Sequence, residues 1–169
     1  MRVSEAIRLD RGDYDPAAGV LTVRDTKFGK SRYLPLHPTA VTGLDEYVRL
    51  RDEIMPAPSS PALLLTARGS RLRYERTWET FHAVTVSAGL KPRSSACRPR
   101  IHDLRHSMAV ATLLGWHRSG ADVEAMMPLL SAYLGHSDPR HTYTYMSAAP
   151  ELLALAAGKL QAFQEEESP

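Results

Sequence analysis

Tyr145 follows His136 by nine residues, and His136 itself lies in the run Leu134-Gly135-His136-Ser137. Upstream, the stretch Ile101 to Ser107 places His102, Arg105 and His106 at i, i+3 and i+4, which is one face of a helix. A guanidinium flanked by imidazoles suits a phosphate: the arginine neutralises charge and an imidazole accepts or donates a proton. A tyrosine hydroxyl titrates near 10 and is a poor nucleophile until a base and a positive field assist it. The residues after His106 are apolar (Met108, Ala109, Val110, Leu113, Leu114), so the polar trio would sit at the rim of a core. An arginine there costs too much to bury without a partner. Tyr143 is a rival nucleophile, but two residues along a helix face well apart, so only one phenol reaches a given phosphate. Taken singly, each cluster also has a plain structural reading: packing aromatics, a solvated stripe, a helix-junction histidine.

The elements that must carry these residues follow from pattern and punctuation. Residues 2–9 read as a short helix end, and Asp13-Tyr14-Asp15-Pro16 with Gly19 as a turn. Val20–Val23 and Tyr33–Leu36 are β-rich and joined by Asp25 to Ser31, which predicts a hairpin with Lys27 and Lys30 near its tip. Helical spacing then runs from a Thr39 cap to Met55, and Leu63-Leu64-Leu65 reads as a short buried strand. Further helices are expected over 74–88, closed by Gly89, and over about 101–114, 122–134, 139–147 and 150–164. Ser137 or Asp138 would cap the helix that carries the tyrosines, with Pro139 in its first turn. The fold class is therefore mostly α with a small antiparallel β-sheet near the N-terminus. A single domain is expected over 1–164, with 165–169 a frayed acidic tail.

Charge distribution is more informative than its total. The net charge is only +2, yet Arg68 to Arg105 contains eight arginines and one lysine against Glu75, Glu79 and Asp103. Arg24, Lys27, Lys30 and Arg32 form a second basic group. One face built for phosphates explains this pattern, and so does a solvated surface that uses arginine throughout. No apolar run approaches the roughly 18 residues of a membrane span, and no signal peptide opens the chain. A single cysteine, Cys97, excludes an internal disulfide framework and fits a reducing cytoplasm.

Together, His102-Xaa-Xaa-Arg105-His106, Leu134-Gly135-His136 and Tyr145 resemble the tyrosine recombinase, or phage integrase, family. The resemblance extends upstream through Arg2-Val3-Ser4-Glu5, Leu9, Asp13, Asp15 and Thr26 to Leu36, and covers the chain from Arg2 to about Leu155. It implies the recombinase catalytic-domain fold and the following roles. Arg2 and Arg105 neutralise the non-bridging oxygens of the scissile phosphate. Lys27 protonates the leaving 5′ oxygen, while His102 and His136 hydrogen-bond the phosphate or take the tyrosine proton. Tyr145 attacks to give a 3′-phosphotyrosine, Glu5 orients Arg2, and His106 supports the site. Lys30, Arg32, Arg71, Arg73, Arg76, Arg93, Arg98 and Arg100 are the expected DNA contacts. The implied partner is double-stranded DNA, with four protomers on two sites joined through the last helix, where Leu152, Leu153, Leu155, Leu160 and Phe163 lie. No cofactor, metal, membrane or small-molecule substrate is implied. The stretch Met127 to Met146 looks most like integrases of mobile elements.

Other readings stay open at this point. The chain starts at the first arginine box, so a preceding helix and a DNA-clamping helical domain are expected to be missing, and Arg2 to lie in a fraying terminus. On that alternative the piece binds DNA or partner subunits without recombining alone: it holds DNA weakly, with strong salt dependence, and cleaves poorly or not at all. His102, His106 and His136 could alternatively serve as zinc ligands in a hydrolase, although Arg105 on the same face would repel the cation. A type IB topoisomerase would use the same tyrosine chemistry on one duplex.

Overall fold

The computed structural model describes residues 1–24, 29, 31–92, 94, 97–136, 138, 140–148, 154 and 157. The chain divides into two compact units, Met1–Ile101 and a second that begins at His102. The expected helix over 150–164 and the acidic tail lie outside the described residues, apart from Ala154 and Ala157 in helical backbone.

The first unit opens with α1 (Val3–Arg8), a 3-10 turn (Arg11–Asp13) and a three-stranded antiparallel sheet. Its strands are β1 (Tyr14–Asp15), β2 (Val20–Val23) and β3 (Arg32–Pro35), in that spatial order. The hairpin is as expected, with Leu21 opposite Leu34 and Val23 opposite Arg32. β1 corrects the reading of 13–16 as turn alone: Tyr14 pairs with Leu21 and Asp15 with Val20. Tyr14 is buried, and its hydroxyl donates to Asp45 at 2.6 Å. Burial, then the hydrogen bond and charge of Asp45, push that hydroxyl up to about 12. The period of two along β2 and β3 sends Leu21, Val23 and Leu34 into the core of this unit.

Next come α2 (Pro38–Ile54) and α3 (Tyr74–Ser87). His37, rather than Thr39, caps α2: its Nδ1 accepts from the Thr39 N–H, and Pro38 occupies the first turn. Leu63-Leu64-Leu65 is not a strand. Its backbone groups are satisfied one at a time, Leu63 N–H by the Leu9 carbonyl at 2.8 Å and Leu65 N–H by the Tyr47 hydroxyl at 3.0 Å. Isolated bridges, Asp10 to Ala62 and Leu65 to Arg71, stand in place of a ladder. After α3, Gly89 takes a left-handed conformation, as expected of a residue closing a helix.

The second unit holds α4 (Ile101–Ser119), α5 (Val123–Leu134) and α6 (Arg140–Ala148), where α4 already begins at the boundary residue. α4 runs five residues beyond the expected end at 114: Gly115 stays within the helix, which ends before Gly120, a glycine in left-handed conformation. Its core gathers Ala109 and Leu113 of α4, Met127, Leu130 and Leu134 of α5, and Tyr145 of α6. Leu113 is fully buried at the centre of that cluster. Leu113→Ala is expected to cost about 3 kcal/mol, from lost transfer energy plus a residual cavity. A urea-melt midpoint that did not move would show that Leu113 does not anchor this core.

Candidate active site

α5 ends where Gly135 adopts a left-handed conformation at φ 72°, a geometry that favours glycine. The N–H of Gly135 then donates to Ala132, and that of His136 donates to Ser131 at 3.0 Å. The chain therefore reverses sharply at the end of a buried helix, and His136 is the first side chain past the reversal. Asp138 starts the next helix: its carboxylate accepts from the Arg140 N–H at 2.9 Å, as expected of a cap. That backbone bond, against a smaller opposing desolvation and with the hydrogen bond and charge of the Arg140 side chain added, holds the Asp138 carboxyl below its ordinary range. The other expected capping positions, Ser137 and Pro139, lie outside the described residues.

α6 brings Tyr145 back to His136. The two rings stack at 13° with centroids 6.1 Å apart. Tyr145 also meets His106 of α4, with centroids 5.0 Å apart and the rings tilted by 57°. His136 in turn meets His141 edge-on at 5.9 Å and lies 2.7 Å, Nδ1 to Oγ1, from Thr142. Arg105 is buried one residue before His106, at 6% exposure, whereas His102 is exposed. Tyr145 is 8% exposed and Tyr143 44%, so helix geometry separates the two phenols as their spacing requires. His106, His136 and Tyr145 thus form one aromatic cluster beside a buried guanidinium-bearing helix. A phosphate brought to it would meet proton-accepting imidazole nitrogens and a phenol in one place.

The first unit holds a separate polar centre. Glu5 of α1 is buried and accepts the Arg2 N–H at 2.7 Å, with the Arg2 guanidinium at 3.2 Å. Arg32 of β3 reaches the same carboxylate at 2.9 and 3.3 Å. Burial raises the Glu5 carboxyl. The Arg32 hydrogen bonds, the Arg2 N–H and both positive charges outweigh it and bring the group from 4.5 down to about 2. Glu5 lies beside Arg2 as expected, but Arg32 was read as a DNA contact and is turned inward. Strand alternation explains this, since Arg32 shares the face of buried Leu34.

Arg71 is also held within the protein, donating to the carbonyls of Ile7 and Leu9 and pairing with Asp10. It still contributes to the rim of a groove of about 740 Å³ lined also by Arg68, Arg73, Arg76, Thr66, Ser70 and Thr80. Arg68 and Arg73 are exposed there, and Arg76 is exposed in an ion pair with Glu79. Arg98 and Arg100 are exposed on the segment before α4. Lys27, Lys30 and Arg93 lie outside the described residues. Two participants went unassigned in the sequence reading: Thr142, and Arg32 as the second cation on Glu5. The strand period was the available signal for Arg32; for Thr142 it was the i, i+3 spacing to Tyr145.

Among the described residues no three His, Cys, Asp or Glu side chains converge to hold a metal ion, so the zinc reading has no ligand cluster behind it. Among the same residues no helix is long and apolar enough to cross a membrane.

Residues 1–151 match the phage integrase family. Over 157 residues the chain is 43% identical to y4rE, an inferred integrase/recombinase of Sinorhizobium fredii, covering 93% of this chain and 50% of that protein. It is 34% identical over 149 residues to the tyrosine recombinase XerD of Mycobacterium leprae, covering 85% and 43%. Among solved structures, the XerA recombinase superposes with a TM-score of 0.73 at 21% identity, covering 99% of this chain and 52% of that one. The XerH site-specific recombinase bound to its palindromic difH substrate, a post-cleavage complex, gives 0.67 at 23% identity, covering 95% and 42%. These two likenesses show the mostly α fold with its small antiparallel sheet. The chain spans about half the length of the curated relatives it matches. Its sequence from the first arginine box to the tyrosine helix makes it a member of the phage integrase family of tyrosine recombinases.

Proposed function

We propose that this chain supplies the strand-cleaving and strand-joining chemistry of site-specific DNA recombination, with Tyr145 as the nucleophile. The observation that carries this reading is the contact of the Tyr145 ring with both His136 and His106, the latter one residue along α4 from buried Arg105. The tyrosine oxygen forms a bond to the scissile phosphorus while the bond to the 5′ oxygen breaks, leaving a 3′-phosphotyrosine and a free 5′-hydroxyl. The phenolic proton passes to His136 or His102. Arg105 and Arg2 stabilise the charge that builds on the non-bridging oxygens, and Lys27 gives its proton to the leaving oxygen. Glu5 orients Arg2. The phosphodiester energy is kept in the protein–DNA ester, so rejoining to a second 5′-hydroxyl is the same step reversed and requires no ATP. Four copies on two duplexes, joined through the 150–164 segment, complete the proposal. The stretch Met127 to Met146 looks most like the integrases of mobile elements, so recombination of the mobile-element type is the form proposed.

The test is covalent capture. The chain is incubated with a library of nicked suicide duplexes, in which cleavage releases a short strand and prevents religation. Strands that remain bound after denaturation are sequenced, and the modified peptide is identified by mass spectrometry. A phosphotyrosine linkage at Tyr145 is expected; a linkage at any other residue would reverse the assignment.

Sequence-independent affinity is assigned to the groove that Arg68 and Arg73 line. Replacing both by alanine is expected to reduce the slope of log K against log salt by about 1 to 2, equally on all duplexes. Arg71→Ala is expected instead to lower stability, because its guanidinium serves backbone carbonyls. A salt slope unchanged in the double variant would remove the groove from the DNA interface.

A further inference from the structure

We propose that Thr142 is a positioning residue for His136, committing Nδ1 of the imidazole to the protein so that Nε2 is the nitrogen presented to the reaction. The proposal rests on the phosphotyrosine reading above and goes beyond it by assigning a role to a residue that does not meet DNA. Thr142 is fully buried, and its Oγ1 lies 2.7 Å from His136 Nδ1. It stands three residues before Tyr145, on the same face of α6. The three groups that meet the His136 ring from α6, a hydroxyl at its Nδ1 edge, the Tyr145 phenol on its face and the His141 ring at 73°, are therefore set by one helix.

The neighbouring threonine shows that this is not the default. Thr144 turns its hydroxyl back onto its own helix, to the carbonyls of Arg140 at 3.3 Å and His141 at 3.0 Å. Thr142 directs its hydroxyl across the turn to His136 instead. A β-branched side chain on a packed helix has few rotamers, so the oxygen is fixed in direction as well as position. His136 follows the glycine that ends α5, where the backbone fixes the Cα but leaves χ1 and χ2 to be set by contacts. Thr142 supplies the polar contact at Nδ1, and the Tyr145 ring and the edge of His141 supply the aromatic ones. The hydroxyl either donates to Nδ1, which makes Nε2–H a donor toward phosphate, or accepts from Nδ1–H, which makes Nε2 a base. Either way one protein contact occupies Nδ1 and fixes the direction of Nε2, as partners of catalytic and metal-binding histidines do elsewhere.

The experiment pairs Thr142→Val, which keeps the shape and removes the oxygen, with Thr142→Ser, which keeps the oxygen. Thr142→Val is expected to slow adduct formation on captured suicide duplexes about 10- to 100-fold with DNA affinity unchanged. Thr142→Ser is expected to recover to within about threefold of the parent. In a His136→Ala background, Thr142→Val is expected to add nothing, because the two act through one ring. A second readout needs no activity: nitrogen–proton correlation spectra of the His136 ring should show one tautomer in the parent and in Thr142→Ser, and a changed or mixed pattern in Thr142→Val. Adduct rates and ring signals that are both unchanged in Thr142→Val would overturn the proposal. A parent chain that forms no adduct would count against the phosphotyrosine reading alone, while the ring spectra would still decide the role of Thr142.

Discussion

Tyr145→Phe is expected to abolish the covalent protein–DNA adduct, a loss of about 10^4-fold or more, while Tyr143→Phe changes the rate less than about twofold. The asymmetry follows from one oxygen atom and one helix. Phenylalanine keeps the ring that packs with Ala109, Leu113, Met127, Leu130 and Leu134, so the fold should lose no more than about 1 kcal/mol. What disappears is the only nucleophilic atom of that side chain. Tyr143, by contrast, is 44% exposed, and neither His106 nor His136 stacks on it among the described ring contacts. Denaturing gels of nicked suicide duplexes with the parent and both variants check the prediction, and circular dichroism confirms that the variants are folded. An adduct that survives Tyr145→Phe and vanishes in Tyr143→Phe would transfer the nucleophile to Tyr143. That outcome would also require α6 to turn, since two residues represent about 200° around a helix.

The prominence of Tyr145 in the sequence, and the obscurity of its supports, have a common physical basis. Periodicity reports which face of an element is buried, so the hairpin, α2 to α6 and the face carrying Arg105 and His106 were legible before any coordinates. It does not report what a buried polar atom bonds to. Tyr14 and Asp15 were lost among turn residues, because two residues are too few for alternation to register; their pairing to β2 is decided by the sheet. Leu63 to Leu65 had strand composition, yet single bonds to Leu9 and Tyr47 took the place of a ladder, and those partners are remote in sequence. Arg32 looked like one more cation near a basic hairpin tip. Only the register, with Leu34 two positions on and facing the core, turns it toward Glu5. Thr142 had the weakest signal of all, since a threonine in a helix ordinarily bonds to its own backbone.

The position of Arg32 carries the second large expectation, which concerns stability. Glu5→Gln is expected to cost about 3 kcal/mol at pH 7, and most of that cost should vanish by about pH 2. The Glu5 carboxyl is lowered from 4.5 to about 2 in the folded chain, roughly 2.5 pK units at about 1.4 kcal/mol each. A group whose folded value is depressed contributes stability above its unfolded value and loses it as pH falls through the folded one. The Glu5 contribution is therefore complete above about pH 5 and disappears between about 4.5 and 2. Glutamine matches the size and can still accept from the Arg2 N–H, but it removes the one counter-charge that the Arg32 guanidinium, only 16% exposed, has among the described residues. Breaking a buried pair from one side is costly because the remaining charge stays desolvated. Other carboxylates also titrate in this window, so the informative quantity is the difference between parent and variant in urea melts taken from pH 7 to pH 2. That difference should shrink with acid. A constant difference would assign the cost to packing, and no difference at pH 7 would mean that Arg2 and Arg32 do not depend on Glu5. Because Arg2 is the residue that Glu5 also holds, the same variant links the stability of α1 to the proposed chemistry: at a temperature where both proteins are folded, Glu5→Gln should slow adduct formation as well, and a rate equal to the parent's would confine Glu5 to the fold.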